Sequence, residues 1–432
     1  MSNARIVVIG AGITGITTAY ALLRQGYTVT VIDRHPYPSM ETSYANGGQL
    51  SASNGEVWNS WGTIGKGLRW MFQAQAPLLL NPAFSFHKYS WLGEFVAGIR
   101  NHRANTIETV RLAIAARKYL FEIAEREQIH FDLERRGILH LYHDQRSFAV
   151  AGKSNELLRA GGLERFAVTD AEIHSIEPVL TAKFHGGYFT PSDATGDICK
   201  FTRGLADACT RQGVTFQLSS TVTGIEAMGS LLVRTTHSET GEALRPITAN
   251  AVVVCAGVAS RRLASMLGDR INIYPVKGYS ITVGLDDPVS QCAAPTVSLL
   301  DEAAKIVTSR LGRDRFRVAG TAEFNGDNRD IRADRIEPLV RWSRRFFPQM
   351  STATVIPWAG LRPMTPSMMP RVGRGKKPGI YYNTGHGHLG WTLSAATAAM
   401  ISQAVDRDLC GAPRRSAVQK TRLLAHRVAP LK

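Results

Sequence analysis

The sequence predicts an α/β protein whose parallel sheet is assembled from discontinuous segments, with an α+β domain containing an antiparallel sheet inserted between them. Three observations carry this reading. The runs Ile6–Ile9 and Thr28–Ile32 are short, continuous and β-branched, the mark of strands buried on both faces, and one apolar-periodic helix joins them. A third run of the same character, Ala251–Val254, ends in small residues far along the chain. After it, residues 273–284, 304–310 and 315–322 read as antiparallel strands and 333–347 as a helix.

The first strand–helix–strand unit sets the chemistry. Val8 and Ile9 end the strand, and Gly10-Ala11-Gly12-Ile13-Thr14-Gly15 follows with three glycines at the spacing GxGxxG. Gly10 allows the tight turn, Gly12 lets backbone approach a pyrophosphate, and Gly15 lets the helix over about 13–24 pack on the strand. That helix aims its N-terminal N–H groups at the pyrophosphate. The second strand ends in Asp33, eighteen positions after Gly15 and placed to accept from a ribose hydroxyl, with Arg34 next to it. Strand, turn, helix, strand and terminal acid agree on a Rossmann-like dinucleotide site.

A polar, glycine-bearing loop follows, with Thr42, Ser43, Asn46, Gly47, Gly48, Gln49 and Leu50 leaving the edge of the sheet where ligands bind. Residues 58–100 mix Trp58, Trp61, Trp70, Phe84, Phe86, Tyr89, Trp91 and Phe95 with Lys66, Arg69, Lys88 and Arg100. Two readings stay open for this stretch: core between domains, or an apolar and cationic surface for lipid headgroups. A long helix is expected over 106–128, a strand over 137–142, and helices over 146–160 and about 200–212. Two strands near 214–225 and a hairpin near 231–248 lead into the central strand that ends at Cys255-Ala256-Gly257. Near the C-terminus a strand over 379–383 runs into Gly385-His386-Gly387-His388-Leu389-Gly390, which opens a helix over about 391–405. This second GxGxxG has no following strand with a terminal acid, so it is not read as a second dinucleotide site.

One dinucleotide fingerprint with a distant glycine-rich helix start is best explained by FAD. The first unit holds the ADP half. The late helix faces the flavin pyrimidine edge, where its N-terminus stabilises negative charge. Lys and Arg total 51 against 35 Asp and Glu, a formal net charge of +16. Such a surface suits an anionic partner, but no basic motif interleaved with aromatics exists, so nucleic acid is not expected. The five cysteines show no CxxC or metal-ligand spacing and read as free thiols in a reducing compartment, the cytoplasm. The first strand begins within five residues of Met1, which argues against a signal peptide, and no apolar run spans a bilayer.

Several stretches together resemble the D-amino acid dehydrogenase small subunits, within the FAD-dependent amino acid oxidoreductases that include glycine oxidase and sarcosine oxidase. They are Val7–Gly15, Val29–Arg34, Glu41–Gln49, Lys66–Pro77, Asp193–Asp197, Tyr274–Ile281, Gly360–Pro366 and Asn383–Thr392, and they run to about residue 411. The resemblance implies oxidation of a D-amino acid by hydride transfer from Cα to flavin N5, then hydrolysis to a 2-oxo acid and ammonia. It also implies electrons passing to a quinone or another acceptor. Arg362 is the expected carboxylate clamp, because a guanidinium offers a two-pronged donor. Tyr279 and Lys305 are pocket candidates that read equally as core or surface, and His388 reads either as sitting over the flavin or as a structural histidine. Val222, Cys255, Ala256, Gly257 and Gly360 join the expected cofactor contacts. The chain departs from the family pattern at Arg371, His388 and Ala304. An oxygen-using oxidase of glycine, sarcosine or another secondary amino acid such as D-proline or hydroxyproline is the alternative.

The expected division places residues 1–60, 186–265 and 357–412 in the FAD-binding domain and 85–185 and 268–350 in the substrate domain. Residues 413–432 form a basic tail with six Lys or Arg after Pro413 and no acid, readable as a disordered tail or as a peripheral contact with an anionic membrane at the cytoplasmic face of the inner membrane.

Overall fold

A computed structural model describes residues 4–70, 76–228 and 230–410. The basic tail and residues 71–75 therefore lie outside the described residues. Arg5–Ile9 forms the centre of a six-stranded sheet. Thr28–Ile32 and Thr215–Gln217 lie on one side of it, and Ala251–Val254 and Ile380–Thr384 on the other, all parallel. The edge strand Arg371–Arg374 alone runs antiparallel. Every residue of Ala251–Val254 is buried, as a β-branched run between two covered faces requires.

The helix Ile13–Arg24 covers one face and packs against the C-terminal helix Gly390–Cys410. The expected helix over 106–128 is His102–Arg126. It was assigned to the substrate domain, yet it packs on Gly390–Cys410, and its Leu120 and Ala124 join the core around Ile16 and Val31. An apolar stripe read along the helix does not say which core it enters.

The second sheet has nine strands. Its spine is Val355–Met364, Tyr274–Gly284, Arg315–Phe324, Ile306–Leu311, Ser298–Asp301, Ile138–Tyr142, Gly186–Thr190 and Phe166–Val168, with Leu78–Leu80 alongside Arg315–Phe324. The helix Ala333–Phe346 lies over the core of this sheet through Leu339, Val340, Trp342 and Phe346. Two expected domain boundaries are corrected here. Gly186–Thr190 pairs with Ile138–Tyr142, and Val355–Met364 pairs with Tyr274–Gly284, so both strands belong to the large sheet and not to the cofactor sheet. Each is a short extended run whose partner is chosen by long-range pairing.

The aromatic stretch divides between core and surface. Trp91 and Phe95 are core residues of the helix Phe86–Ala97, whereas Trp61, Phe84 and Phe86 are 70%, 83% and 80% exposed. Among the described residues no helix is long and apolar enough to cross a membrane.

Candidate functional site

The two sheets enclose a cavity of about 1270 Å³. Its floor begins at the first glycine turn. Gly10 has φ +111°, and a Cβ there would lie 2.5 Å from the Cys255 carbonyl oxygen. A Cβ on Gly15 would lie 1.8 Å from the Gly10 carbonyl oxygen, so the close helix–strand approach demands glycine. Gly12 differs: its nearest neighbour would be the Ser43 hydroxyl at 3.4 Å, and its face opens on the cavity. Glycine there leaves a cradle at a helix N-terminus that fits a pyrophosphate.

Asp33 lines the cavity while its carboxylate accepts from the Ala11 N–H at 2.6 Å and the His35 N–H at 2.9 Å. It shapes the turn, and its remaining lone pairs are what a ribose hydroxyl would use. Arg34 pairs with Glu41 beside the cavity. Burial opposes ionisation of Glu41, but His35, Arg329 and Arg34 hold its pKa down to about 2.

The loop over 41–51 is clamped between the sheets. Thr42 donates to the Leu361 carbonyl, Ser43 accepts from the Ile13 N–H, and Ser309 donates to the Gly47 carbonyl. Arg317 donates to the Asn46 carbonyl, and Gln49 donates to Ser298. Gly48 has φ +74°, and a Cβ there would run into Ser309. Thr42, Ser43, Asn46, Gly47, Gly48, Gln49, Val222, Ala256, Gly257 and Gly360 all face the cavity, as does Cys255. Val8, Ala11, Gly15 and Leu50 do not line it. They sit behind the wall, Val8, Ala11 and Leu50 in the core cluster, Val8 because successive strand side chains point to opposite faces.

The second glycine turn supplies the opposite end. Gly385 and Gly387 adopt φ of +77° and +60°, and Gly387–Leu389 makes a short 3₁₀ turn before the helix Gly390–Cys410. His386 is buried against Thr397 at 2.9 Å, and burial lowers its pKa to about 3. His388 stacks on Trp58, with ring centroids 4.6 Å apart. Burial first, and Arg362 second, lower its pKa to about 4, opposed by a backbone hydrogen bond with Asn54. The imidazole is therefore neutral.

Arg362 reaches the same wall from Val355–Met364. Its Nη1 donates to the Thr321 carbonyl at 3.2 Å, and among the described residues no carboxylate pairs with it. Burial alone lowers its pKa to about 10, so it keeps its charge. A half-buried guanidinium with no carboxylate partner on a cavity wall is a receptor for an anion.

The other two candidates, Tyr279 and Lys305, also line the cavity, with their polar ends engaged by carboxylates. Tyr279 donates its hydroxyl to Glu323 at 2.7 Å, and Glu323 also sits 3.3 Å from the buried Lys277 ammonium. Lys305 borders the cavity but its ammonium pairs with Glu302. Of the departures from the family pattern, only His388 lines the cavity, while Arg371 lies on an edge strand and Ala304 in a turn behind the wall. Sequence reading passed over Trp58, Thr321 and Gly278, which line the wall near Arg362, and His140, which bonds Ser53 at 3.1 Å. Burial, then Arg165, lowers the His140 pKa to about 4. Gly278 did carry a signal, as an isolated glycine within a strand pattern.

The fold and site define a flavin-dependent oxidoreductase with a two-sheet architecture. A family model described as FAD dependent oxidoreductase matches residues 5–404. The chain is 61% identical over 405 residues to D-amino acid dehydrogenase 3 of Mesorhizobium japonicum, covering 94% of this chain and 98% of that one. It is 39% identical over 411 residues to a D-amino acid dehydrogenase of Dechloromonas aromatica, covering 93% and 96%. The chain belongs to the FAD-dependent oxidoreductases, in the branch of the D-amino acid dehydrogenases. Its fold matches glycine oxidase from Geobacillus kaustophilus with a TM-score of 0.72 at 19% identity, covering 94% of this chain and 96% of the other. L-proline dehydrogenase from P. horikoshii matches with a TM-score of 0.71 at 18% identity, covering 96% of each.

Proposed function

We propose that the protein is an FAD-dependent dehydrogenase that oxidises D-amino acids to 2-oxo acids and ammonia and passes the electrons to a quinone or another acceptor. The observation that carries this reading is the half-buried Arg362 guanidinium, left without a carboxylate partner on the cavity wall. It binds the substrate carboxylate and so fixes one end of the molecule.

The residues fit FAD. Gly10, Gly12, Ile13, Thr14, Asp33 and Arg34 would hold the ADP half, and Gly385–Gly390 the flavin end. When bound, FAD supplies the two-electron acceptor for the hydride leaving Cα. Neutral His388 adds no second cation beside Arg362, so the substrate amine meets an uncharged neighbour. Trp58 stacks on that imidazole and holds it in place. The Arg117–Asp193 ion pair fixes the loop beside it, since Asp193 accepts from the Ala52 and Ser53 N–H groups.

Anaerobic titration of the yellow holoenzyme tests the reading. Bleaching of the flavin by D-amino acids, and not by L-amino acids, glycine or sarcosine, is the expected result. Bleaching by glycine or sarcosine with peroxide release in air would favour the oxidase alternative.

The exposed Trp61, Phe84, Phe86 and Tyr89 also support a peripheral contact with anionic membrane. Flotation with anionic vesicles should fall in a Phe84→Ala/Phe86→Ala variant. Equal flotation by both proteins would remove this surface from the reading.

A further inference from the structure

Gly278 and Gly360 face each other across the strand pair Tyr274–Gly284 and Val355–Met364. Both lack a side chain where one would collide. A Cβ on Gly278 would lie 2.3 Å from Arg362 Nη2 and 2.4 Å from its Cζ, so the guanidinium rests flat on the Gly278 backbone. A Cβ on Gly360 would lie 2.1 Å from Trp358 Cη2. On the other flank of Tyr274–Gly284 the register breaks. Lys277 pairs with Glu323 and Tyr279 with Gly320, so Thr321 and Ala322 together oppose Gly278 in a β-bulge. Thr321 has φ +59°, a conformation that β-branched residues avoid. The bulge sends the Ala322 N–H to the Pro77 carbonyl at 2.7 Å and turns the Thr321 carbonyl to Arg362 Nη1.

We propose that Gly278 and the bulged Thr321 backbone are positioning residues that aim the Arg362 guanidinium at the substrate carboxylate, an inference that rests on Arg362 being the carboxylate anchor. A long flexible side chain would otherwise lose its orientation to rotamer freedom. Here the glycine surface fixes the plane of the fork, and the carbonyl takes one N–H and fixes its rotation within that plane. The remaining donors are left for a two-pronged contact with a carboxylate. Strain at Thr321 persists beside the ligand site because the strand Leu78–Leu80 and Arg362 hold both sides of the bulge.

The test measures benzoate binding to the holoenzyme through the flavin absorption shift, at equal FAD content. Gly278→Ala should weaken benzoate at least tenfold. In an Arg362→Ala background the same substitution should change nothing further, because it acts only through the guanidinium. Thr321→Gly, which frees the bulged backbone that aims the carbonyl, should also weaken benzoate, and should change nothing further in an Arg362→Ala background. Native-like binding by Gly278→Ala overturns the proposal, as does native-like binding by Thr321→Gly, which remains measurable even where Gly278→Ala does not fold. If Arg362→Ala itself binds benzoate normally, the carboxylate-anchor reading fails first, and the positioning role fails with it.

Discussion

The imidazole of His388 lies parallel to the Trp58 indole within 24°, and Arg362 sits close enough to depress its pKa. A cation and a potential cation thus share one wall, and only one of them is charged. Burial decides which. An arginine keeps its proton in such a place, whereas a histidine surrenders it.

Removing the indole should therefore change the pH profile. In Trp58→Ala, water reaches His388 and its pKa rises from about 4 toward the ordinary value of 6.5. Below about pH 6 the variant then carries an imidazolium that repels the substrate ammonium. The plot of kcat/KM against pH should gain an acidic limb near 6 that the native enzyme lacks. Profiles that superimpose from pH 5 upward would mean that Trp58 does not govern this group.

Arg362→Ala should lower catalytic efficiency for D-amino acids by about thirtyfold to several-thousandfold, since losing one member of a buried charge pair costs on the order of 2–5 kcal/mol. Arg362→Lys should lose less, because charge survives while the fork is gone. FAD content should not change. Intact efficiency with lost FAD would make Arg362 a cofactor residue.

Two glycines of one motif should fail in different ways. Gly12→Val meets only the Ser43 hydroxyl, at ordinary contact distance, and should fold, yet fill the pyrophosphate cradle and purify colourless. Gly15→Ala drives a methyl against the Gly10 carbonyl, and overpacking of that kind costs about 1–3 kcal/mol. It should show a lowered melting temperature even before flavin is considered. Stoichiometric flavin in Gly12→Val would refute the assignment of the cradle.

His386 gives a stability prediction. Its folded pKa is about 3 against 6.5 when unfolded, so the unfolded chain binds the extra proton. Stability from this group is complete above pH 6.5 and is lost as pH falls from there toward 3. His386→Gln should reduce the slope of unfolding free energy between pH 6 and 4.5 by about one proton, or about 1.4 kcal/mol per pH unit. Parallel slopes for the two proteins would show that His386 is not the buried neutral group.

The sequence by itself determined the local elements whose physics is local. The helix Ile13–Arg24, the strands Thr28–Ile32 and Ala251–Val254, and the glycine turns at Gly10 and Gly385 all lie where pattern and spacing put them. Arg362 stands out in the sequence as a candidate carboxylate ligand, from a resemblance and from the chemistry of its side chain. Only tertiary structure decided strand partners: Gly186–Thr190 and Val355–Met364 joined the large sheet because pairing energy comes from distant chain, which no window of sequence contains. The same holds for Gly278, whose missing side chain has meaning only because Arg362, far away in sequence, lies across it. It holds too for Tyr279, whose hydroxyl Glu323 takes up, and for Lys305, whose ammonium Glu302 takes up. Burial, charge pairing and close approach depend on which segments meet in space, and that is settled only when the two sheets close on one cavity.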